Sequence, residues 1–313
     1  MKLWPVIKAE FKRSSWVLWA VLLFMLPLCG GRAVGTIKDD VYGMSRWLDS
    51  SAYFTDSMQE NICLCGIWAA VLLVIVQYIK DYPNFTRALP YTGRQLILGK
   101  SVTAVVIAAA NSVIYVVMMF MLTSKYDWYI KTVYWSSDDT ISAGYIVLCA
   151  FTAFLVMLAA YWYVSLCCCV SKNVYIGVGL AFLGMMTLTA FTNLLDEINF
   201  YDILTKFRDF LSHIAPESYA VSLFMIFLAV TVLVPSFFGA LKLYGGGESS
   251  HPLFRYGAVN KIAILLLAVL FASFAPDVTG MYDNIPLALM IGGAVGLALG
   301  IGFNKLVIRR CRA

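Results

Sequence analysis

Eight stretches of this chain run long without a single Asp, Glu, Lys or Arg: approximately Ser15–Gly30, Asn61–Ile79, Ser101–Leu122, Ser142–Cys169, Asn173–Leu195, Ser218–Leu241, Ile262–Ala275 and Ile285–Asn304. An uncharged apolar run of roughly 20 residues matches the hydrocarbon thickness of a bilayer as a helix. In lipid every backbone polar group must be satisfied within the segment, so helices are the natural outcome. The composition agrees: 61% of the 313 residues are hydrophobic and only 13% are charged, about half the charged fraction of a soluble domain. The expected fold is all-α, a polytopic membrane helix bundle of about eight transmembrane helices in one domain, residues 1–313, with no nucleotide-binding domain.

The charges test that partition, because short cytoplasmic loops retain Lys and Arg. With the N-terminus inside, the inner segments hold 16 of the 23 basic residues and only Glu10, Asp81 and Glu248 of the 18 acidic ones. The inner side is therefore +13 and the outer side −8. Both termini are expected in the cytoplasm and the protein in the plasma membrane. The seventh run, Ile262–Ala275, is short; starting it near Tyr256 with Lys261 snorkelling restores a full crossing and keeps Arg309, Arg310 and Arg312 inside. The first run is expected to be a retained helix, since Leu26-Pro27-Leu28-Cys29 offers no small-residue cleavage site. This topology predicts that single cysteines placed at Asp138 and Asp283 label from outside, and those at Ser250 and Arg310 only after permeabilisation. Labelling of Arg310 from outside overturns the eight-span arrangement.

The chain lacks the constellations of an enzyme. There is no Ser/His/Asp set, no carboxylate pair within a span and no His-Glu-x-x-His. With only His213 and His251, a Cys/His zinc site has too few ligands. Cys149 and the run Cys167-Cys168-Cys169 read as small packing residues. Cys29, Cys63 and Cys65 lie near outer span ends, which leaves a disulfide from Cys29 to either of the others open. No run carries an ionisable residue away from its ends, which weighs against an ion-coupled carrier. Gln77, Asn111 and Asn193 are the notable polar residues at membrane depth and read as interhelical hydrogen-bond partners.

One stretch points towards ATP. "GRQLILGKS", Gly93–Ser101, ends in the Gly-Lys-Ser of a phosphate-binding loop. That loop needs four residues between its glycines and must follow a buried strand. Here five residues intervene and the stretch opens a membrane span. The chain itself is therefore expected to bind no ATP and no other cofactor. The surrounding inner segment 81–100, "DYPNFTRALPYTGRQLILGK", carries three basic residues against one acid, is broken at Pro83 and Pro90, and interleaves aromatic and aliphatic residues. It reads as a short element lying across the inner surface and available for docking.

"RALPYTGRQLILGKS" resembles the inner loop between the second and third spans of type-two ATP-binding-cassette exporter permeases, in which a Leu-Pro, a small polar residue and Arg lead into an aliphatic run ending Gly-Lys. In that family the loop forms a coupling helix against a separate ATPase subunit. The resemblance implies that role for Phe85, Arg87, Leu89, Pro90, Arg94 and Lys100. It also implies a second permease subunit, like or related, two ATPase partner subunits that bind the ATP, surrounding lipids, and no nucleic acid. Upstream, "MKLWPVIKAEFKRSSW" is similar to the family's interfacial elbow helix, residues 1–14, with Trp4, Ile7 and Phe11 on one face amid basic residues. Outside, residues 196–217 take the place of the family's outer helical element. Phe200, Ile203, Phe207, Phe210 and Ile214 fall there at helical spacing on one apolar face.

The similarity covers roughly Met1–Leu243, and the last two spans depart from it. The eighth run carries Gly292, Gly296 and Gly300 at four-residue spacing, a close-packing face for another helix of this chain or for a partner. The implied function is export of a peptide, antibiotic or lipid-like substrate, driven by ATP hydrolysed in a partner chain. A non-transporting membrane scaffold or sensor subunit of an immunity or signalling complex is the alternative.

Overall fold

The computed structural model describes residues 4–25, 50–79, 93–125, 143–197, 217–244, 253–280 and 285–312. They form eight helices: α1 Trp4–Met25, α2 Ser50–Tyr78, α3 Gly93–Lys125, α4 Ala143–Val170, α5 Val174–Glu197, α6 Glu217–Leu243, α7 Gly257–Thr279 and α8 Ile285–Arg312. Among the described residues the remaining regular pairing is one isolated antiparallel bridge, Ser171 to Phe254. The protein is a helical membrane bundle.

Six helices are long and apolar enough to cross a bilayer, in the stretches Asn61–Tyr78, Gln95–Lys125, Ala143–Val170, Val221–Leu243, Gly257–Pro276 and Ile285–Ile308. The two others fall short among the described residues for different reasons. Helix α1 joins the expected elbow and the first apolar run without a break, so Lys8, Glu10, Lys12 and Arg13 lie inside it. In α5 the apolar stretch is Val174–Ala190, one residue below the length of the shortest crossing helix above. The doubtful seventh run is a 23-residue helix, α7, that starts after Tyr256 and leaves Lys261 exposed. It closes on Gly280, whose φ of 65° is the left-handed conformation a glycine adopts without strain, with its N–H donating to the Pro276 carbonyl at 2.9 Å.

The chain divides into two compact units, and the divisions among the described residues fall within α2, α4 and α6. The first comprises 1–77, 90–163 and 208–237. Its centre is the packing of α1 on α3. A Cβ added to Gly99 would stand 2.6 Å from a methyl of Val6, so glycine lets the two helices approach closely there. Tyr161, Trp162 and Phe237 stack edge to face in succession, with ring centroids 5.2 and 4.8 Å apart. Asn111 is fully buried and its amide faces the Met157 sulfur at 3.9 Å.

The second unit comprises 78–89, 164–207 and 238–313. Helix α7 packs on α8 and on α5. The glycine stripe of α8 lies directly against α7. A Cβ on Gly292 would meet the Phe271 carbonyl and Ala275, one on Gly296 the backbone of Ala268 at 2.7 Å, and one on Gly300 Ile264 at 3.1 Å. The stripe therefore meets a helix of this chain, complemented by small residues on α7. Thr187 of α5 donates to the Leu266 carbonyl of α7 at 3.3 Å. The α4–α5 connection pairs with the strand-like segment before α7: Lys172 N–H donates to the Leu253 carbonyl at 2.9 Å and Arg255 N–H to the Val170 carbonyl at 2.8 Å. Cys167, Cys168 and Cys169 are buried, and a Cβ on Gly177 would strike the Cys168 backbone at 2.7 Å. Cys63 and Cys65 are buried in α2, while Cys29 lies outside the described residues.

Candidate functional site

Helix α3 buries one continuous stripe: Leu96, Ile97, Lys100, Thr103, Ala104, Ile107, Ala108, Asn111, Ser112, Tyr115 and Met119. The spacing of three and four is that of a helix face turned to its neighbours. Four members are polar, and only one of them, Lys100, is charged. Helix α1 buries Val6, Glu10, Ser14, Val17 and Val21 at the same kind of spacing, again with one charged member. Because Gly99 lets the two backbones approach at Val6, the next turn of α1 brings Glu10 to Lys100.

The Lys100 ammonium has no exposed surface. It lies 3.1 Å from Glu10 Oε1 and donates to the Gln77 carbonyl at 2.6 Å. Gln77 stands in the last turn of α2, where carbonyls have no partner within their own helix. A cation there satisfies such a carbonyl and complements the negative end of the helix dipole. The side chain of Gln77 is fully buried and accepts a hydrogen bond from the Tyr161 hydroxyl of α4 at 2.7 Å. One ammonium thus joins α1, the end of α2 and α3, and through Gln77 the junction reaches α4. Among the described residues the network is not saturated: Glu10 Oε2, Ser14 Oγ and Gln77 Nε2 are buried without a hydrogen-bond partner. In a low-dielectric interior such polar atoms are costly.

In this arrangement the Gly-Lys-Ser stretch is part of a helix. All of Gly93–Ser101 is α-helix, so its N–H groups are turned along the helix and not gathered around a phosphate. The lysine that would touch phosphate faces a carboxylate inside the protein. Among the described residues no group of three or more His, Cys, Asp or Glu side chains is placed to hold a metal ion.

Of the expected docking residues, Phe85, Arg87, Leu89 and Pro90 lie outside the described residues. Arg94 is in the first turn of α3, and its side chain too lies outside them. Lys100 is turned inward. Phe200, Ile203, Phe207, Phe210 and Ile214 fall outside the described residues as well. Sequence reasoning counted Glu10 among solvated inner charges and did not foresee Tyr161 or the Gln77 carbonyl. A signal was present for Glu10, which shares the i, i+4, i+7 positions of Val6, Ser14 and Val17 on an otherwise basic helix start. Glu10 and Lys100, which lie just outside the first and third apolar runs, form a buried ion pair. Compared with known proteins, the chain matches no family model, no curated protein and no solved structure.

Proposed function

We propose that the chain is the permease subunit of an ATP-driven exporter in the plasma membrane, with both termini cytoplasmic, pairing with a second permease subunit and with separate ATPase subunits. The observation that carries this reading is the Lys100 junction. The segment resembling a coupling helix leaves α2 after Tyr78 and enters α3 at Gly93. The last turn of α2 and the first turns of α3 are tied to each other and to α1 by one buried ammonium. A push on the docked segment therefore acts on three helices at once. Rigid elements joined in this way are what transmission from a soluble motor into a membrane bundle requires. The cargo class, a peptide, antibiotic or lipid-like molecule, rests on the resemblance.

The purified chain is expected to bind no nucleotide, and an ATPase subunit is expected to co-purify with it. Leu89→Asp places a solvated charge where an apolar contact with that subunit is expected, and should reduce co-purification tenfold or more, since a central contact is worth about 2 kcal/mol. Specific ATP binding by the chain alone overturns the proposal, as does coupled export that survives Leu89→Asp. A chain that recruits a kinase or secretion component in place of an ATPase is the scaffold of the alternative reading.

A further inference from the structure

The second unit holds a groove of about 310 Å³ between α5, α7, α8 and the segment Leu253–Phe254. That volume is at the lower end of ligand sites, about 300–1,000 Å³. Its length is apolar, with Leu180, Phe254, Ile264 and Phe303 among its walls, and it is polar at one place, where Asn260 and Asn304 both line it. The packing register explains why these two residues lie together. Gly296 meets Ala268 and Gly300 meets Ile264, so one further turn on each helix sets Asn304 against Asn260. The glycine stripe that lets α8 lie on α7 thus ends in a pair of amides.

The charged residues next in sequence to the groove lining are of one sign. Lys261 follows Asn260, Lys305 follows Asn304 and Arg255 follows Phe254, while Lys172 is hydrogen-bonded through its backbone to Leu253. Lys261 and Lys305 are exposed. No Asp or Glu lies within one residue of any groove-lining position. An apolar groove among membrane helices, polar where Asn260 and Asn304 line it and with an exposed lysine next in sequence to each, has the chemistry of a phospholipid with a negatively charged headgroup.

We propose that this groove binds one anionic phospholipid, an acyl chain lying along Gly179, Ile264 and Phe303 and the phosphate at the Asn260–Asn304 end. A second copy of the chain is a poorer occupant, since two-fold pairing of this face sets cations against cations. The site gives the last two spans, which depart from the permease resemblance, a ligand of their own. It does not depend on the transport reading.

The test uses the full chain purified in neutral detergent, with native mass spectrometry of added phosphatidylglycerol, phosphatidylcholine of the same acyl composition, and glycerol phosphate without chains. One phosphatidylglycerol is expected to bind in preference to phosphatidylcholine, and glycerol phosphate not to be retained. Lys261→Gln with Lys305→Gln should weaken phosphatidylglycerol about 25-fold, roughly fivefold per cation, and leave phosphatidylcholine unchanged. Gly179→Leu should expel the lipid, because an added side chain there meets no atom within 4 Å of its Cβ and projects into the groove. If Gly179→Leu lowers the melting temperature, the charge variant alone decides. Equal affinity for the two lipids with no effect of the lysine changes overturns the proposal. So does phosphatidylglycerol retained by a stably folded Gly179→Leu chain, or a dimer mass that this substitution abolishes.

Discussion

Replacing Lys100 by Met is expected to destabilise the chain by about 3–5 kcal/mol, the cost of removing one partner from a buried ion pair. The ammonium has no exposed surface, and Glu10 beside it is buried as well. Deleting the cation removes the ion-pair partner of a buried carboxylate whose other oxygen has no hydrogen-bond partner among the described residues. It also strips the Gln77 carbonyl of its donor at the end of α2. The matching double variant, Glu10→Leu with Lys100→Met, should recover most of the loss, because a buried pair replaced by apolar groups of similar size is often neutral or better. The single change Glu10→Leu should fall between them, since Lys100 keeps the Gln77 carbonyl. Detergent-solubilised chains unfolded by heat or by titrated SDS provide the measurement. A Lys100→Met chain that unfolds with wild-type midpoint, and gains nothing from Glu10→Leu, removes the junction from the structure and with it the observation that supports coupling.

The parts of this fold that were legible in the sequence are those set by one-dimensional patterns. Long uncharged runs specify helices because hydrocarbon leaves the backbone no other partner, and six such helices stand where the runs lie. The start of α7 was legible for the same reason, once Lys261 was allowed to reach out of the apolar layer. The α8 glycine stripe was visible too, but its partner was not. That partner depends on Ala268, Ala272 and Ala275 on α7, whose small size carries meaning only when set against glycines in the next helix, beyond the α7–α8 connection. The Lys100 junction was the least legible feature. Glu10 and Lys100 are separated by 90 residues. Each taken alone is an ordinary charge near the end of an apolar run, and the rule that places basic residues on the inner side counts them without asking which way they face. What turns both inward is the close approach at Gly99 and Val6, a tertiary contact with no signature in spacing.

Gly296→Leu is expected to cost about 3 kcal/mol or more, the upper end of ordinary overpacking. A side chain added to a packed helix is cheap when it meets the flexible tip of another side chain. At Gly296 it meets backbone: the Ala268 Cα and the Leu267 carbonyl, each 2.7 Å from the first added atom. Neither can move without shifting α7 as a whole, and that shift would also part Gly292 from Ala275 and Gly300 from Ile264. Gly302→Leu is the control on the same helix, because no atom lies within 4 Å of its added Cβ. It should be neutral or stabilising by up to about 1 kcal/mol, the helix propensity that glycine forgoes. Both variants add the same apolar side chain to α8, so a difference between them reports the α7–α8 contact and not hydrophobicity or expression. The comparison is the SDS concentration at half-unfolding for each purified chain. A Gly296→Leu chain as resistant as Gly302→Leu would mean that α7 and α8 do not lie in this contact, and the groove ending at Asn260 and Asn304 would lose the register that forms it.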